Sequence, residues 1–244
     1  MPVTAIRGIS GTSGAVLTSS GSPFSAVRDA TNGSSVVVGS SSQFGVNTVV
    51  FRSSFNHQVS RLFLAFNTSF LPDNIIGAKL WIHGRENNNP GCQTIVVKAN
   101  KPNITTPIAT TDYRAAIVGF VTGSSMAGNV TDYSGVKTTW LTTGYNDILL
   151  NAAARADIGN PNSTVFQVAV LNYQNDYLNV APGTTGERFN SYVYDVDPVF
   201  GKVPPYIEVT YGMGLDVDDV QYLFISAVND IGESGIYQIN GTNA

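Results

Sequence analysis

Aromatic side chains that could stack against a sugar ring are the first candidates for binding chemistry. Four residues fit this description: Trp81 on the outer face of a predicted strand, Tyr173 and Tyr177 in the segment NYQNDY, and Tyr192. A sugar would lie against the ring while polar neighbours hydrogen-bond its hydroxyl groups. Tyrosine and tryptophan at strand edges also serve as packing or interface residues, because their rings carry a polar end. The sequence therefore leaves open a glycan site or an interface at these positions.

Pairs of carboxylates offer a second kind of chemistry, a structural calcium ion. Asp195 and Asp197 place two carboxylates on the same side of an extended segment. Residues 216–219, DVDD, form another acidic cluster. Calcium takes about six to eight oxygen ligands, and neither cluster has the spacing of an EF-hand loop. Asp195 and Asp197 are therefore the calcium candidates, with a solvated acidic turn as the alternative, and no other cofactor is predicted.

Catalytic patterns do not emerge from the sequence. The two histidines, His57 and His83, belong to neither a G-x-S-x-G nucleophile turn nor an H-E-x-x-H metal pair. No two acidic residues are set apart by context as the converging carboxylates of a glycoside hydrolase. The single cysteine, Cys92, cannot form an intrachain disulfide. We therefore expect a non-enzymatic protein.

Composition narrows the possible partners. Charged residues make up 12% of the 244 residues, and the net charge is −4. That fraction is about half of the ~25% typical of soluble proteins. Because nucleic-acid binding needs clustered lysine and arginine, we expect no nucleic-acid partner. No apolar run approaches the ~20 residues of a membrane-spanning helix, so we expect no membrane partner.

The candidate residues are positioned by short strands. Leu62, Leu64 and Phe66 fall on one face of a predicted strand, because successive strand residues point to opposite sides. A proline turn follows, and the alternation then resumes with Trp81 and His83 on the outer face of the next strand.

The same reasoning covers the rest of the chain. Residues 115–121 and 136–141 are predicted as strands, and residues 206–211 as the last strand of a sandwich. One helix is predicted over residues 151–158, capped by Asn151 and ended by Gly159 in the left-handed conformation. Many short strands with almost no helix predict a sandwich or jelly roll.

The order R-x-F-L-x-F-x-T-S-x-L-P, a short spacer and I-x-x-A-K-L-x-I, over residues 61–82, resembles the DNRLRE-type domain. That domain is a jelly-roll β-sandwich related to carbohydrate-binding modules, and it occurs in bacterial surface proteins and phage structural proteins. The resemblance extends upstream to Asp29 and downstream to residues 204–211, so it spans roughly residues 26–211. It implies an all-β, antiparallel jelly-roll β-sandwich.

We predict three parts of the chain. Residues 1–25 form an extended Gly/Ser-rich arm, which lies along a neighbouring subunit or back on its own domain. Residues 26–211 form the jelly-roll sandwich. Residues 212–244 form a short appendage, a hairpin or a helix plus strand, whose apolar side chains make an assembly contact.

Together these features predict a non-enzymatic structural protein of a phage virion, as a capsid decoration or a component of a head or tail fibre. The N-terminal residues MPVTAIR lack the pattern of a secretion signal, so such a protein would leave a bacterial cytoplasm within a particle released by lysis. Its partners would be major capsid or fibre proteins and further copies of itself in a homo-oligomer. The alternative is a carbohydrate-binding adhesin module that recognises surface glycans.

Overall fold

Antiparallel strands make up most of the computed structural model, which describes residues 1–9, 11–20, 23–38, 43–51, 56–87, 93–182, 188–192 and 204–212. The strands are β1 Val3–Arg7, β2 Gly14–Ser20, β3 Ser35–Val38, β4 Gln43–Phe51, β5 Asn56–Asn67, β6 Ile75–Asn87, β7 Thr94–Lys98, β8 Tyr145–Leu149, β9 Val165–Asn172, β10 Arg188–Tyr192 and β11 Tyr206–Tyr211. Between them lie three short helices, α1 Phe24–Arg28, α2 Asp112–Ala115 and α3 Ala152–Ile158, and a π-helical turn, Tyr173–Tyr177.

The strands form two antiparallel sheets that are joined at one end. The first sheet has the order β3-β2-β5-β9-β7, and the second has the order β1-β11-β6-β8. Strands β4 and β10 pair with each other and connect the two sheets, since β4 also pairs with β5 and β10 with β6. The protein is therefore mostly β, consistent with the predicted all-β sandwich.

The main core lies between the two sheets. Leu62, Leu64 and Phe66 of β5 belong to one buried cluster with Leu80 and Ile82 of β6. All five side chains are fully buried. The alternation predicted for this part of the sequence is confirmed, and it leaves Lys79, Trp81 and His83 at the outward positions of β6.

A second core covers the outer face of the first sheet. Val59 and Phe63 of β5 pack there beneath a covering layer, which consists of α1, residues 99–130 including α2, and the π-helical turn. Residues 115–121 were predicted as a strand, and that prediction is wrong. Ala115 ends α2, and the residues after it form turns with one isolated bridge, from Ile117 to Ala99, while Ala116 and Ile117 are buried against the sheet. The predicted strand at residues 136–141 is also absent, because this segment makes only a single bridge, from Lys137 to Thr94.

The segment predicted as an arm contains two strands of the sandwich. β1 pairs with β11, and β2 lies between β3 and β5. Ile6 and Val16 are buried in the two cores. This segment therefore lies back on its own domain, and the sandwich begins at Val3 rather than at residue 26. Of the predicted appendage, residues 213–244 lie outside the described residues.

The predicted helix is confirmed as α3. Asn151 caps it by accepting a hydrogen bond from the Ala154 amide at 3.1 Å. Gly159 follows the helix with φ of −87°, so the predicted left-handed ending is wrong. A Cβ at this position would lie 2.4 Å from the carbonyl oxygen of Asp73, so close backbone approach is the reason for a glycine here.

Candidate functional site

The outward side of the second sheet brings aromatic side chains into one row. Trp81 of β6 pairs with Tyr206 of β11 and with Asp147 of β8, and His83 pairs with Tyr145. Residues directly opposite in an antiparallel pair share a face of the sheet. The backbone register therefore places these residues side by side. We call Trp81, His83, Tyr145 and Tyr206 the aromatic face.

The rings of the aromatic face contact one another. Trp81 and Tyr206 are stacked, with ring centres 5.8 Å apart and planes at 12°. Tyr145 meets Tyr206 edge-on at 5.5 Å, and His83 meets Tyr145 edge-on at 5.3 Å. The Lys79 ammonium lies 5.5 Å from the centre of the Trp81 ring. Tyr206 thus covers one side of the Trp81 indole, and the four rings form a continuous cluster at the protein surface.

Charged groups border the aromatic face on the β8 side. The Asp147 carboxylate lies 3.1 Å from the Lys137 ammonium and 3.8 Å from that of Lys79. The hydrogen bond from Lys137 lowers the pKa of Asp147, and both lysine charges add to the effect. A cleft of about 260 Å³ opens beside this ion pair, lined by Gly135, Val136, Lys137, Asp147, Ile148, Leu149 and Asn151. The aromatic face therefore continues into a partly charged cleft along β8.

The other tyrosines predicted as glycan candidates lie elsewhere. Tyr173 and Tyr177 belong to the π-helical turn in the covering layer, where their rings stack at 5.5 Å. Tyr177 is buried, and its hydroxyl donates to the Asp132 carboxylate at 2.9 Å. Burial raises the pKa of Tyr177. Tyr177 is thus a packing residue, and neither tyrosine joins Trp81 in a common site.

Of the remaining predicted site residues, the structure describes the backbone of Tyr192 only. The backbone of Tyr192 in β10 pairs with His83, at the border of the aromatic face. Asp195 and Asp197 lie outside the described residues, so calcium binding there stays a prediction. Within the described ranges, no three His, Cys, Asp or Glu residues are grouped to hold a metal ion.

A buried charge cluster lies under the covering layer, and the sequence analysis did not predict it. Arg61 of β5 donates to both carboxylate oxygens of Asp176, each at 2.8 Å. It also donates to the carbonyl oxygens of Tyr113 at 2.7 Å and Arg28 at 2.8 Å. Arg61, Arg28 and Asp176 are all fully buried. Burial acts to lower the pKa of Arg61, but the Asp176 charge and hydrogen bond outweigh it, so the pKa is raised.

Arg28 extends this buried charge cluster into the loops. It donates to the Asp176 carbonyl oxygen at 2.8 Å, to the Asp29 carboxylate at 2.5 Å and to the Val121 carbonyl oxygen at 3.0 Å. Both guanidinium groups also lie over the ring of Phe120, at 4.7 Å for Arg61 and 4.9 Å for Arg28. The cluster thereby ties α1, residues 113–121 and the π-helical turn to β5.

A smaller polar cluster lies at the end of α3. The Asp157 carboxylate accepts hydrogen bonds from the Tyr133 hydroxyl and, at 2.7 Å, from the Lys98 ammonium. Burial raises the pKa of Tyr133. These three residues line a cavity of about 110 Å³ together with polar groups from the turn at residues 160–163. The hydrogen bonds hold α3 to β7 and to the segment before β8.

No protein-family model matches the chain, and no curated protein matches it. Among the described residues, no helix is both long enough and apolar enough to cross a membrane.

Proposed function

We propose that this chain is a non-enzymatic structural protein of a phage virion, where its jelly-roll sandwich decorates the capsid or forms part of a head or tail fibre. The observation that carries the proposal is the contrast between the two sides of the sandwich. The first sheet lies beneath the covering layer, whereas the second sheet presents the aromatic face to the surface. Tyrosine and tryptophan bordered by charges are typical of protein interfaces.

The buried charges support a structural role rather than catalysis. Catalytic groups are aimed at a space that substrate can enter. Arg61 instead directs its donors at Asp176 and at two carbonyl oxygens, all beneath the covering layer. Asp29 is likewise engaged, because its carboxylate accepts from Arg28 and from the Gly123 amide at 2.7 Å. These charges fasten loops to a sheet.

The assignment to a phage particle draws on two features of the sequence. Residues 26–211 resemble the jelly-roll DNRLRE-type domain of phage structural proteins, and charged residues make up only 12% of the chain. A sparsely charged surface suits a protein that is packed among others. The partners in this proposal are major capsid or fibre proteins and further copies of the chain.

Fractionation of particles tests this proposal. An antibody raised against the purified chain is applied to gradient fractions of a lysate that contains the protein. We expect the chain to sediment with the major capsid protein, in a fixed ratio that survives a second gradient. The proposal is refuted if the chain stays at the top of the gradient with the free proteins.

A carbohydrate-binding adhesin module is the second candidate, and the position of Trp81 favours it. The indole is half-buried, with Tyr206 stacked on one side of it, and the Asp147 carboxylate and the cleft along β8 offer polar groups beside it. Titration of an oligosaccharide panel tests this function with Trp81→Ala against Phe70→Ala, a control at an exposed aromatic ring in the turn after β5. Loss of ring stacking should weaken binding about tenfold in the Trp81 variant alone. Equal binding by both variants would remove Trp81 from consideration.

A further inference from the structure

Two rows of outward side chains cross the second sheet, and their charges follow a regular pattern. From β1 to β8, one row consists of Arg7, Tyr206, Trp81 and Asp147, and the neighbouring row consists of Ala5, Glu208, Lys79 and Leu149. The residues between the two rows, one on each strand, are buried in the main core. The midline of the four strands runs between β11 and β6. In both rows, the charges at equal distances from this midline are opposite in sign.

Two of these charges have no partner of their own. Arg7 and Glu208 form no ion pair with any residue that the structure describes. Glu208 stands directly opposite Lys79 in the β11–β6 ladder. The Lys79 ammonium lies towards the other side, however, 5.5 Å from the centre of the Trp81 ring and 3.8 Å from the Asp147 carboxylate. The Arg7 guanidinium and the Glu208 carboxylate can therefore pair with another molecule.

We infer that two copies of this chain pack face to face through the outward side of the second sheet. The two copies are related by a twofold axis that runs parallel to the strands, midway between β11 and β6. This axis places β1 of one copy over β8 of the other, and β11 over β6. Sheets that pack face to face commonly keep their strands aligned to within about 30°. The inference rests on the assembly role in the proposed function and names the surface that carries it.

Every charge of the two rows meets an opposite charge in this arrangement. Arg7 lies over Asp147 of the second copy, and Glu208 lies over Lys79 of the second copy. Because the axis acts in both directions, the contact contains two of each pair, as a twofold interface requires. Lys137 stays with Asp147, at 3.1 Å, while Lys79 turns to the new carboxylate. The contact thereby gives Arg7 and Glu208 the partners that they lack in the single chain.

The uncharged side chains of the two rows also match. Tyr206 lies over Trp81 of the second copy on both sides of the axis, so the centre of the contact is aromatic. Ala5 lies over Leu149, which is 67% exposed in the single chain. Arg7 and Asp147 lie on the outer strands and therefore at the rim. An aromatic centre with charges at the rim is typical of protein interfaces.

The charge pattern also selects the direction of the axis. A twofold axis across the strands, between the two rows, would place each row over the other row of the second copy. Every charged side chain would then lie over an uncharged one. An axis across the strands along either row would bring each charge onto itself. Only the axis parallel to the strands pairs opposite charges, and electrostatic complementarity of this kind fixes the register of an interface.

Charge reversal tests the inference on the full chain. Arg7→Glu and Asp147→Arg each turn the two outer attractive pairs of the dimer into repulsive pairs. Lys101→Glu and Asp73→Arg are the matched controls, because they make the same changes of charge in the covering layer and in the turn after β5. Sedimentation equilibrium gives the mass and the dissociation constant, and circular dichroism confirms that each variant is folded.

We expect the wild type and both controls to form a dimer of twice 25.9 kDa. Each reversal should raise the dissociation constant about tenfold, because two exposed ion pairs become repulsive. An equimolar mixture of Arg7→Glu and Asp147→Arg should recover the dimer, since the introduced glutamate then faces the introduced arginine and the other outer pair is native. Glu208→Lys is an independent disruption, and adding Lys79→Glu to the same chain should restore the dimer.

The inference is overturned if the wild type is monomeric at about 100 µM, or if the mixture dimerises no better than either variant alone. An oligomer that none of the reversals affects also overturns it, yet leaves the virion proposal standing, because co-sedimentation with particles is measured separately. A dimer that responds as expected but does not sediment with particles supports this contact and refutes the virion role alone.

Discussion

Replacing Asp176 by asparagine removes the negative charge that two fully buried arginines share. Arg61 would keep one of its two hydrogen bonds to residue 176, both at 2.8 Å, because the asparagine amide has a single acceptor oxygen and its NH2 group would face an Arg61 donor. Its bonds to the two carbonyl oxygens would remain. The positive charge would remain in a site with no access to water, because the Arg61 side chain is completely buried. Removing one partner of a buried ion pair costs about 3–5 kcal/mol.

We therefore expect Asp176→Asn to lower the free energy of unfolding by about 3–5 kcal/mol. At roughly 2 °C per kcal/mol for a chain of this size, the melting temperature should fall by about 6–10 °C. Urea denaturation followed by circular dichroism measures the first quantity, and calorimetry measures the second. Asp147→Asn is the matched control, since its carboxylate is 48% exposed and pairs with two surface lysines. It should cost at most about 1 kcal/mol.

A double substitution separates the charge from the packing. In Arg61→Met with Asp176→Leu, no unpaired charge remains from this pair, and apolar side chains of similar length fill the space. Such replacements of buried pairs are often neutral or stabilising, so the double variant should be more stable than Asp176→Asn. The reasoning is refuted if Asp176→Asn costs less than about 1 kcal/mol, or if the double variant is the less stable of the two.

Two further predictions follow from buried groups. Burial raises the pKa of Tyr113, Tyr133 and Tyr177 above the usual value of 10.0, so their stabilising contribution is complete below pH 10 and is lost as the pH rises above it. Unfolding monitored along an alkaline titration should therefore coincide with a jump in tyrosinate absorbance, and gradual ionisation of all tyrosines before unfolding would contradict this. Gly159→Ala should cost about 1–3 kcal/mol in urea denaturation, because its Cβ would meet the Asp73 carbonyl oxygen at 2.4 Å, whereas Gly135→Ala, with open space around it, should cost less than about 1 kcal/mol.

The sequence predicts strands best where one face of a strand is apolar and the other is polar. β6 shows this pattern, with Leu80 and Ile82 inside and Lys79 and Trp81 outside. β5 is different, because Phe63 and Ala65 are as deeply buried as Leu62 and Leu64. A strand that is apolar on both faces is buried on both sides. The apolar residues on both faces of β5 were therefore the sequence signal that a further layer covers this strand. That covering layer is what buries Arg61.

The buried charge cluster itself was beyond prediction from one sequence. Arg61 and Asp176 are 115 positions apart, and Asp176 sits in a polar segment that is typical of a loop. Residues 115–121 illustrate the related limit for secondary structure, since a short apolar run is equally compatible with a strand and with a turn packed on a sheet. In both cases the deciding information is which distant element packs above the residue.

The two sheets differ in whether their outer face is already covered by the chain itself. A contact between copies requires a surface whose backbone keeps its shape, because ordering a flexible surface on binding costs free energy. β6 meets this requirement, since Leu80 and Ile82 anchor it in the main core while Trp81 faces outward. On the other side, the buried charge cluster holds the covering layer against β5, so the outer face of the first sheet is already occupied. In the proposed assembly role, the aromatic face is therefore the surface through which this sandwich would contact further chains without rearranging its core.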